Sequence, residues 1–446
     1  MSLSDDAAIS GTAHFPGFRR SWWPMLLLFL AANLYSIDKA IVGVLAEPIK
    51  HDLAISDVQM SLLLGLAYTM FGAVLGVWLG SLVDRKVRRT LIACSIILWS
   101  LATAAGGLAA NFQWFFVFRA LVGLGEAVIT PAAFSLIADM FPPHQRGRAL
   151  GTYLIGATFG TALSSVIPGW IVASNLHLAI PGLGAIVPWR SAFLICGMIG
   201  PVIGLLFLTI REPARIGMSR PRGATSATFG EKLRYLWSHR AIIGPIFLGF
   251  GLFYVGFVGI SAWTAPFVMR AYHLTLPQFA NTMGLILLIG GGMGYIAGGI
   301  IADSAIGRKR GGKLAIMIAL PIIALPCAFA GFAPSATLAL VTLAAVALAT
   351  PMLNVSMNAS VQELVPNDMR GFSIGLLGVL IALPAGAGGP FAVAYVTQNV
   401  LAEPSKIGMA FLIVGAPCFL AASACFLFAR RAVLAAPTPS IRSVFP

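Results

Sequence analysis

Long apolar runs separated by short polar breaks dominate the chain, and few stretches alternate with the period of a surface helix or strand. A helix needs about 20 mostly apolar residues to cross a bilayer. Twelve runs of that kind lie between charges, turns and Gly/Pro clusters, at roughly 22–47, 58–83, 90–110, 113–138, 148–173, 190–210, 241–270, 277–302, 313–332, 335–361, 369–399 and 406–430. The pattern predicts an all-α polytopic membrane protein with 12 transmembrane helices. The first run, after Arg19-Arg20, is too long for the core of a secretory signal and lacks a convincing small-residue cleavage site, so it reads as a retained span.

Composition points the same way. Of 446 residues 58% are hydrophobic and 10% are charged, against about 25% charged in soluble domains. That is too little charge to cover a water-facing surface, and too much apolar content for a disordered chain. The net charge of +14 raises the question of nucleic acid, and the placement of the charges answers it. If both termini are cytoplasmic, 23 Lys and Arg fall on the inner side and only Lys50, Arg190, Arg270 and Lys406 on the outer. This asymmetry is the positive-inside rule, so no nucleic acid partner is implied, and the expected location is the cytoplasmic (inner) membrane. The longest loop, 211–240, carries seven basic residues and divides the spans six and six. The expected organisation is a cytoplasmic tail (1–21), a six-helix bundle (22–210), a cytoplasmic linker (211–240), a second bundle (241–431) and a cytoplasmic tail (432–446). The linker reads as a solvated connector, with anionic lipid headgroups as an alternative partner. All five cysteines lie in apolar runs and all six histidines outside them, which argues against a disulfide framework, a metal site or a cofactor.

The halves echo each other. Gly80-Ser-Leu-Val-Asp84-Arg85-Lys86-Val87-Arg88-Arg89 follows span two; Gly299-Ile-Ile-Ala-Asp303, then Gly307-Arg308-Lys309, follows span eight. Asp139-Met-Phe-Pro142-Pro-His-Gln-Arg146-Gly147 leads into span five, and Glu363-Leu-Val-Pro366-Asn-Asp-Met-Arg370-Gly371 into span eleven. Repeated halves of this kind characterise transporters whose substrate site lies between the repeats at mid-membrane. With these motifs the chain resembles the major facilitator superfamily. The first turn is similar to that family's GxLxDRxGRR element, with Val87 where glycine is usual, and Arg119-Ala-Leu-Val-Gly123-Leu-Gly125-Glu126 matches its RxxxGxG element. Span one adds Asn33-Leu-Tyr35-Ser-Ile-Asp38-Lys39. An acidic–basic pair there, with Arg-x6-Glu in span four, resembles the Spinster sphingolipid and lysophospholipid transporters most, in the form of a bacterial homologue, and also the organic anion:cation symporters. Lys39 stands where both groups usually carry arginine, which keeps the charge and loses the planar fork. The resemblance implies two pseudo-symmetric six-helix bundles working by alternating access, as a monomer in membrane lipid.

Asp38, Lys39, Arg119 and Glu126 are the charges read as lying well inside the spans. Each costs about 2.5–3.5 kcal/mol at mid-membrane on insertion scales, so they call for mutual pairing or a water-filled cavity. Arg119 and Glu126 are seven residues apart and share a helix face. By depth Asp38 falls between them, so Arg119 can pair with either carboxylate but not equally with both. Burial favours the protonated acid and a nearby guanidinium the carboxylate; Asp38, Glu126 and Arg119 are therefore the candidate proton-coupling set. Arg119, Lys39, Tyr35, Asn354 and Asn358 are candidate substrate contacts, the two asparagines sharing a face of span ten at i, i+4. Interhelical hydrogen bonding explains the asparagines nearly as well. Tyr68, Tyr153, Tyr254 and Trp263 serve either the cavity or helix packing. The resemblance implies that Asp84 latches one half to the other, with Arg85, Arg88, Arg89, Asp139, Arg146, Asp303, Glu363 and Arg370 as further gating candidates.

The expected function is proton-coupled secondary transport of an amphipathic or anionic small molecule. The alternatives are an organic anion (sugar acid) symporter and a multidrug-type proton antiporter, the latter disfavoured because Gly156-Ala-Thr-Phe-Gly160 lacks the Gly-Pro motif of span five. Gly307-Arg-Lys-Arg-Gly-Gly312-Lys313-Leu314 ends in leucine and follows a membrane span, so it is no phosphate-binding loop. A membrane enzyme would need histidines that the spans lack.

Overall fold

The computed structural model describes residues 18–70, 82–83, 86–180, 184–213, 229–366 and 369–435. Within them eleven helical segments are long and apolar enough to cross a membrane. They are span one (Ser21–Val44), three (Arg88–Gly106), four (Phe112–Met140), five (Gln145–Ala173), six (Pro188–Phe207), seven (Arg240–Tyr272), eight (Leu276–Ala302), nine (Gly312–Phe332), ten (Ala336–Val361), eleven (Phe372–Val400) and twelve (Pro404–Ala435). Span two is entered at Asp57–Ser61 and continues to residue 70; residues 71–81 of the expected run 58–83 lie outside the described residues. Among the described residues the fold is the all-α polytopic arrangement that the apolar pattern predicts, its spans gathered in two bundles. Two short segments, Ala179–Ile180 and Gly184–Ala185, pair as an antiparallel ribbon between spans five and six.

Local chemistry sets the span ends. At the face opposite the chain termini, here the far face, Ser56, Asn111 and Ser335 each accept a backbone N–H of the first turn of spans two, four and ten. A Thr275–Gln278 capping box opens span eight in the same way. Each cap satisfies a donor that the helix leaves orphaned. At the termini face, span five begins with Pro143 at its first turn, where a missing N–H costs nothing. The linker is not all irregular: it ends in a helix, Phe229–Ser238, that turns Tyr235 and Leu236 inward and leaves Trp237 exposed.

Among the described residues the apolar core is continuous between the bundles on the far side and divided on the termini side. Far-end residues of the first bundle (Ile41, Leu45, Leu63, Phe115, Phe193) belong to one cluster with the whole second bundle. The termini half of the first bundle (Leu27, Ile96, Trp99, Leu136, Ile203) forms a separate cluster. Glycines record the same splay. A Cβ on Gly65 of span two would lie 2.3 Å from the Gly386 carbonyl oxygen of span eleven, so the two backbones touch. Both glycines sit in single π-helical turns, Leu62–Leu66 and Pro384–Gly388, a local widening often found at functional sites. Gly169 and Gly284 bring spans five and eight together in their far halves, whereas Gly147, Gly151, Gly292 and Gly299, nearer the termini face, meet nothing within 4 Å. The bundles therefore converge at the far face and diverge towards the termini face.

Candidate transport cavity

Between the bundles lies a cavity of about 570 Å3. Its first-bundle wall is polar: Tyr35, Ser36 and Lys39 of span one, Tyr68 and Thr69 of span two, and Thr161, Ser164 and Ser165 of span five. The second-bundle wall is largely apolar, with Phe257, Val258, Phe279, Met283 and Ile381. An adjoining compartment of about 310 Å3 shares Lys39 and Tyr254 with it and reaches Asn354 on span ten. The Lys39 side chain faces this space, its Nζ 5.9 Å from the Tyr35 ring centroid. Asn354 Nδ2 donates to the Tyr254 hydroxyl (2.7 Å) and to the Thr350 carbonyl (3.0 Å). Asn358 instead donates to the Asn354 carbonyl one turn back (2.9 Å) and is not among the cavity-lining residues.

Asp38, adjacent to Lys39, points the other way. It is fully buried inside the first bundle, beside Trp99 and Thr103 of span three. Arg119 and Glu126 are 2% and 3% exposed. They project from one face of span four, whose helix is interrupted directly after Glu126 and resumes at Ile129. Arg119 Nη1 donates to the main-chain oxygen of Asp38 (3.1 Å), and its guanidinium lies 5.4 Å from the Tyr68 ring centroid. The Tyr68 hydroxyl donates to Glu126 Oε2 at 2.5 Å. Among the described residues no ion pair joins Arg119 to either carboxylate, and both Asp38 oxygens, Glu126 Oε1 and Arg119 Nε are buried without a hydrogen-bond partner. Tyr68 thus touches both Arg119 and Glu126, a contact that the sequence did not reveal. Arg119 is not among the cavity-lining residues; it is screened from the space by Tyr68, which does line it.

Of the gating candidates, Asp84 and Arg85 lie outside the described residues, as does the side chain of Arg370. Arg88 is fully buried and pairs with Asp139 and with Glu212 (2.8 Å), while also donating to Ser135 and to the Pro213 carbonyl. Arg89 donates its backbone N–H to Glu212 (3.0 Å) and its guanidinium to the Ile210 carbonyl (2.8 Å). Arg146 caps the Phe141 carbonyl (3.0 Å), Glu363 pairs with Lys313, and Asp303 is exposed at the end of span eight. These contacts stay within one bundle. The expected contacts between halves, which belong to the state closed at this face, are not formed here, because the termini face, where these residues lie, is where the bundles part.

The cross-bundle ion cluster is instead at the far face, where the sequence reading placed only topology-setting charges. Arg270 at the end of span seven makes a bidentate pair with Asp57 (2.8 Å to each oxygen) and a bond to Glu47 (2.9 Å). Lys50 also pairs with Asp57, and Gln398 of span eleven accepts the Val58 N–H (3.1 Å). Burial alone would push the Asp57 carboxyl up; the hydrogen bonds from Arg270 and Lys50 outweigh it and hold the group below its ordinary value. A basic residue at a span end and two acids at the junction of spans one and two, more than 200 residues away, carry no sequence signal of contact.

Two helix bundles enclosing a central cavity with one polar and one largely apolar wall, closed at one face and parted at the other, have the form of a membrane transport protein. The chain belongs to the Major Facilitator Superfamily, whose model matches residues 28–390. It is similar, with a TM-score of 0.78 and 26% identity over 94% of this chain and 98% of the other, to a bacterial homologue of the human lysosomal transporter Spinster, solved in an inward-facing, unoccupied conformation. An MFS-type efflux pump of Mycolicibacterium smegmatis is 27% identical over 95% of this chain and 97% of its own length. The hexuronate transporter of Bacillus subtilis is 25% identical over 91% and 94%. The expected likeness to a bacterial Spinster homologue is thus shown.

Proposed function

We propose that this transporter moves an anionic, amphipathic organic molecule by alternating access, coupled to protons through Glu126 and Asp38. With the basic termini face in the cytoplasm, the described conformation is open to the inside. The observation that carries the reading is the division at span one: Lys39 offers one cation to the cavity, while Asp38 stays behind it with Arg119 and Glu126. The anionic group of the substrate binds Lys39 amid the hydroxyls of Tyr35, Ser36 and Thr161, and its apolar part lies along Phe257, Met283 and Ile381. Asn354 extends the polar lining into the adjoining compartment. Approach of Arg119 favours a carboxylate and its withdrawal favours the acid, so a rearrangement that moves Arg119 from Glu126 towards Asp38 lets Glu126 take a proton. Asp84 and the basic residues of its turn latch the opposite, outward-open state.

A second reading, a sugar-acid symporter, is favoured by the hydroxyl-rich wall beside Lys39 and by the similarity to a hexuronate transporter. Uptake into proteoliposomes of lysophosphatidylglycerol and of glucuronate, under an imposed pH gradient, separates the two. Glu126→Gln is expected to abolish the proton dependence of whichever substrate is carried; proton-driven uptake that survives the change removes Glu126 from the mechanism.

A further inference from the structure

Three contacts converge on Tyr68. Its hydroxyl donates to Glu126 at 2.5 Å, its ring lies under the Arg119 guanidinium at 5.4 Å, and the same side chain forms part of the cavity wall beside Tyr35 and Thr69. Span four is shaped for this approach. Arg119, Gly123 and Glu126 stand at i, i+4 and i+7 on one face, and a Cβ on Gly123 would fall 1.9 Å from the Tyr68 carbonyl oxygen. Only a glycine lets the span-two backbone lie directly on span four, with the ring reaching Arg119 one turn away and the hydroxyl reaching Glu126 on the other side. A guanidinium over a tyrosine face is held by the ring's negative face, most strongly where water is excluded. A hydroxyl donated to a carboxylate favours its ionised form.

We propose that Tyr68 is the positioning residue through which the cavity communicates with the buried acid–base set. It holds Glu126 by its hydroxyl and Arg119 by its ring, and an occupant of the cavity that displaces it releases both. The inference rests on the proton-coupling reading of Glu126. It adds that substrate and proton meet at a phenol in the wall and not by direct contact of substrate with Arg119.

The test needs no substrate. The protein reconstituted in lipid is titrated with pH while the infrared C=O stretch of protonated carboxyls is followed. The charged and titratable groups that act on Glu126 are Tyr68 on span two by its hydrogen bond, and through their charge Arg119 on its own span, Asp38 and Lys39 on span one, and Tyr153 on span five. E126Q and D38N therefore assign the bands. The expected result is a band lost in E126Q whose midpoint moves to higher pH by about one unit in Y68F, as loss of one charge-assisted donor implies, together with a changed band frequency. A tyrosine C–O band of the unaltered protein should shift in step with that carboxyl band, which keeps the inference open to refutation should the Y68F protein fail to reconstitute. If E126Q removes a titrating band that Y68F leaves unmoved, or the tyrosine band stays still, Tyr68 is only packing and the inference falls while the coupling reading stands. If E126Q removes no titrating band, the coupling reading itself falls.

Discussion

Successive residues on a helix point about 100° apart, and at Asp38 and Lys39 that rotation separates a buried acid from a base facing the cavity. The sequence reading had both charges inside span one; which faced the cavity was decided by packing against spans three and four. Lys39→Met is expected to weaken binding of an anionic probe such as glucuronate or lysophosphatidylglycerol about tenfold, the size of one charge-assisted hydrogen bond. Lys39→Arg should keep most of the affinity; titration calorimetry in detergent checks both. Gly123 offers a second test. Gly123→Ala meets backbone at 1.9 Å and should lower the melting temperature of the detergent-solubilised protein, whereas Gly147→Ala, with nothing within 4 Å, should leave it unchanged or raise it, since alanine is worth about 1 kcal/mol over glycine inside a helix.

Between elements, burial separates ion pairs that look alike in the sequence. Arg88 was legible as a cytoplasmic charge in a repeated turn. What the turn did not reveal is that Arg88 is withdrawn completely into the first bundle, with Asp139 on one side and Glu212, 124 residues along the chain, on the other. Removing one member of a buried set strands the others, at about 3–5 kcal/mol. Lys313–Glu363 is the corresponding contact of the second bundle, with the glutamate side chain 58% exposed, and such pairs contribute about 0–1 kcal/mol. Arg88→Gln should therefore cost several degrees of thermal stability and Lys313→Gln almost none, as unfolding of the purified proteins by differential scanning fluorimetry would reveal. The span boundaries, by contrast, were readable within a few residues, because length, caps and flanking charges are local properties.

For the whole molecule the issue is which face is closed. Arg270 with Asp57 and Glu47 ties the bundles together at the far face. Arg270→Gln should raise the population open at that face by about tenfold, the worth of a charge-assisted pair. Electron–electron distance measurements between spin labels on the far ends of spans five and eight would register it. The pH dependence of this closure has a definite sign. Asp57 is held below its ordinary value of 3.8, so its contribution is complete above that value and is lost as the pH falls through the lower, folded value. Closure should then be indifferent to pH near neutrality, which leaves coupling there to groups inside the first bundle.

Apolar run length, charge asymmetry and the repeated turns made the all-α polytopic fold and the family likeness legible, because a bilayer imposes its requirements on each segment separately. They also singled out Asp38, Arg119 and Glu126, since a charge in an apolar run is costly wherever it points. Only the tertiary structure placed Tyr68 between Arg119, Glu126 and the cavity, joined Arg88 to Glu212, and set Arg270 on Asp57. Those contacts depend on how helices rotate and approach one another, which no single segment encodes.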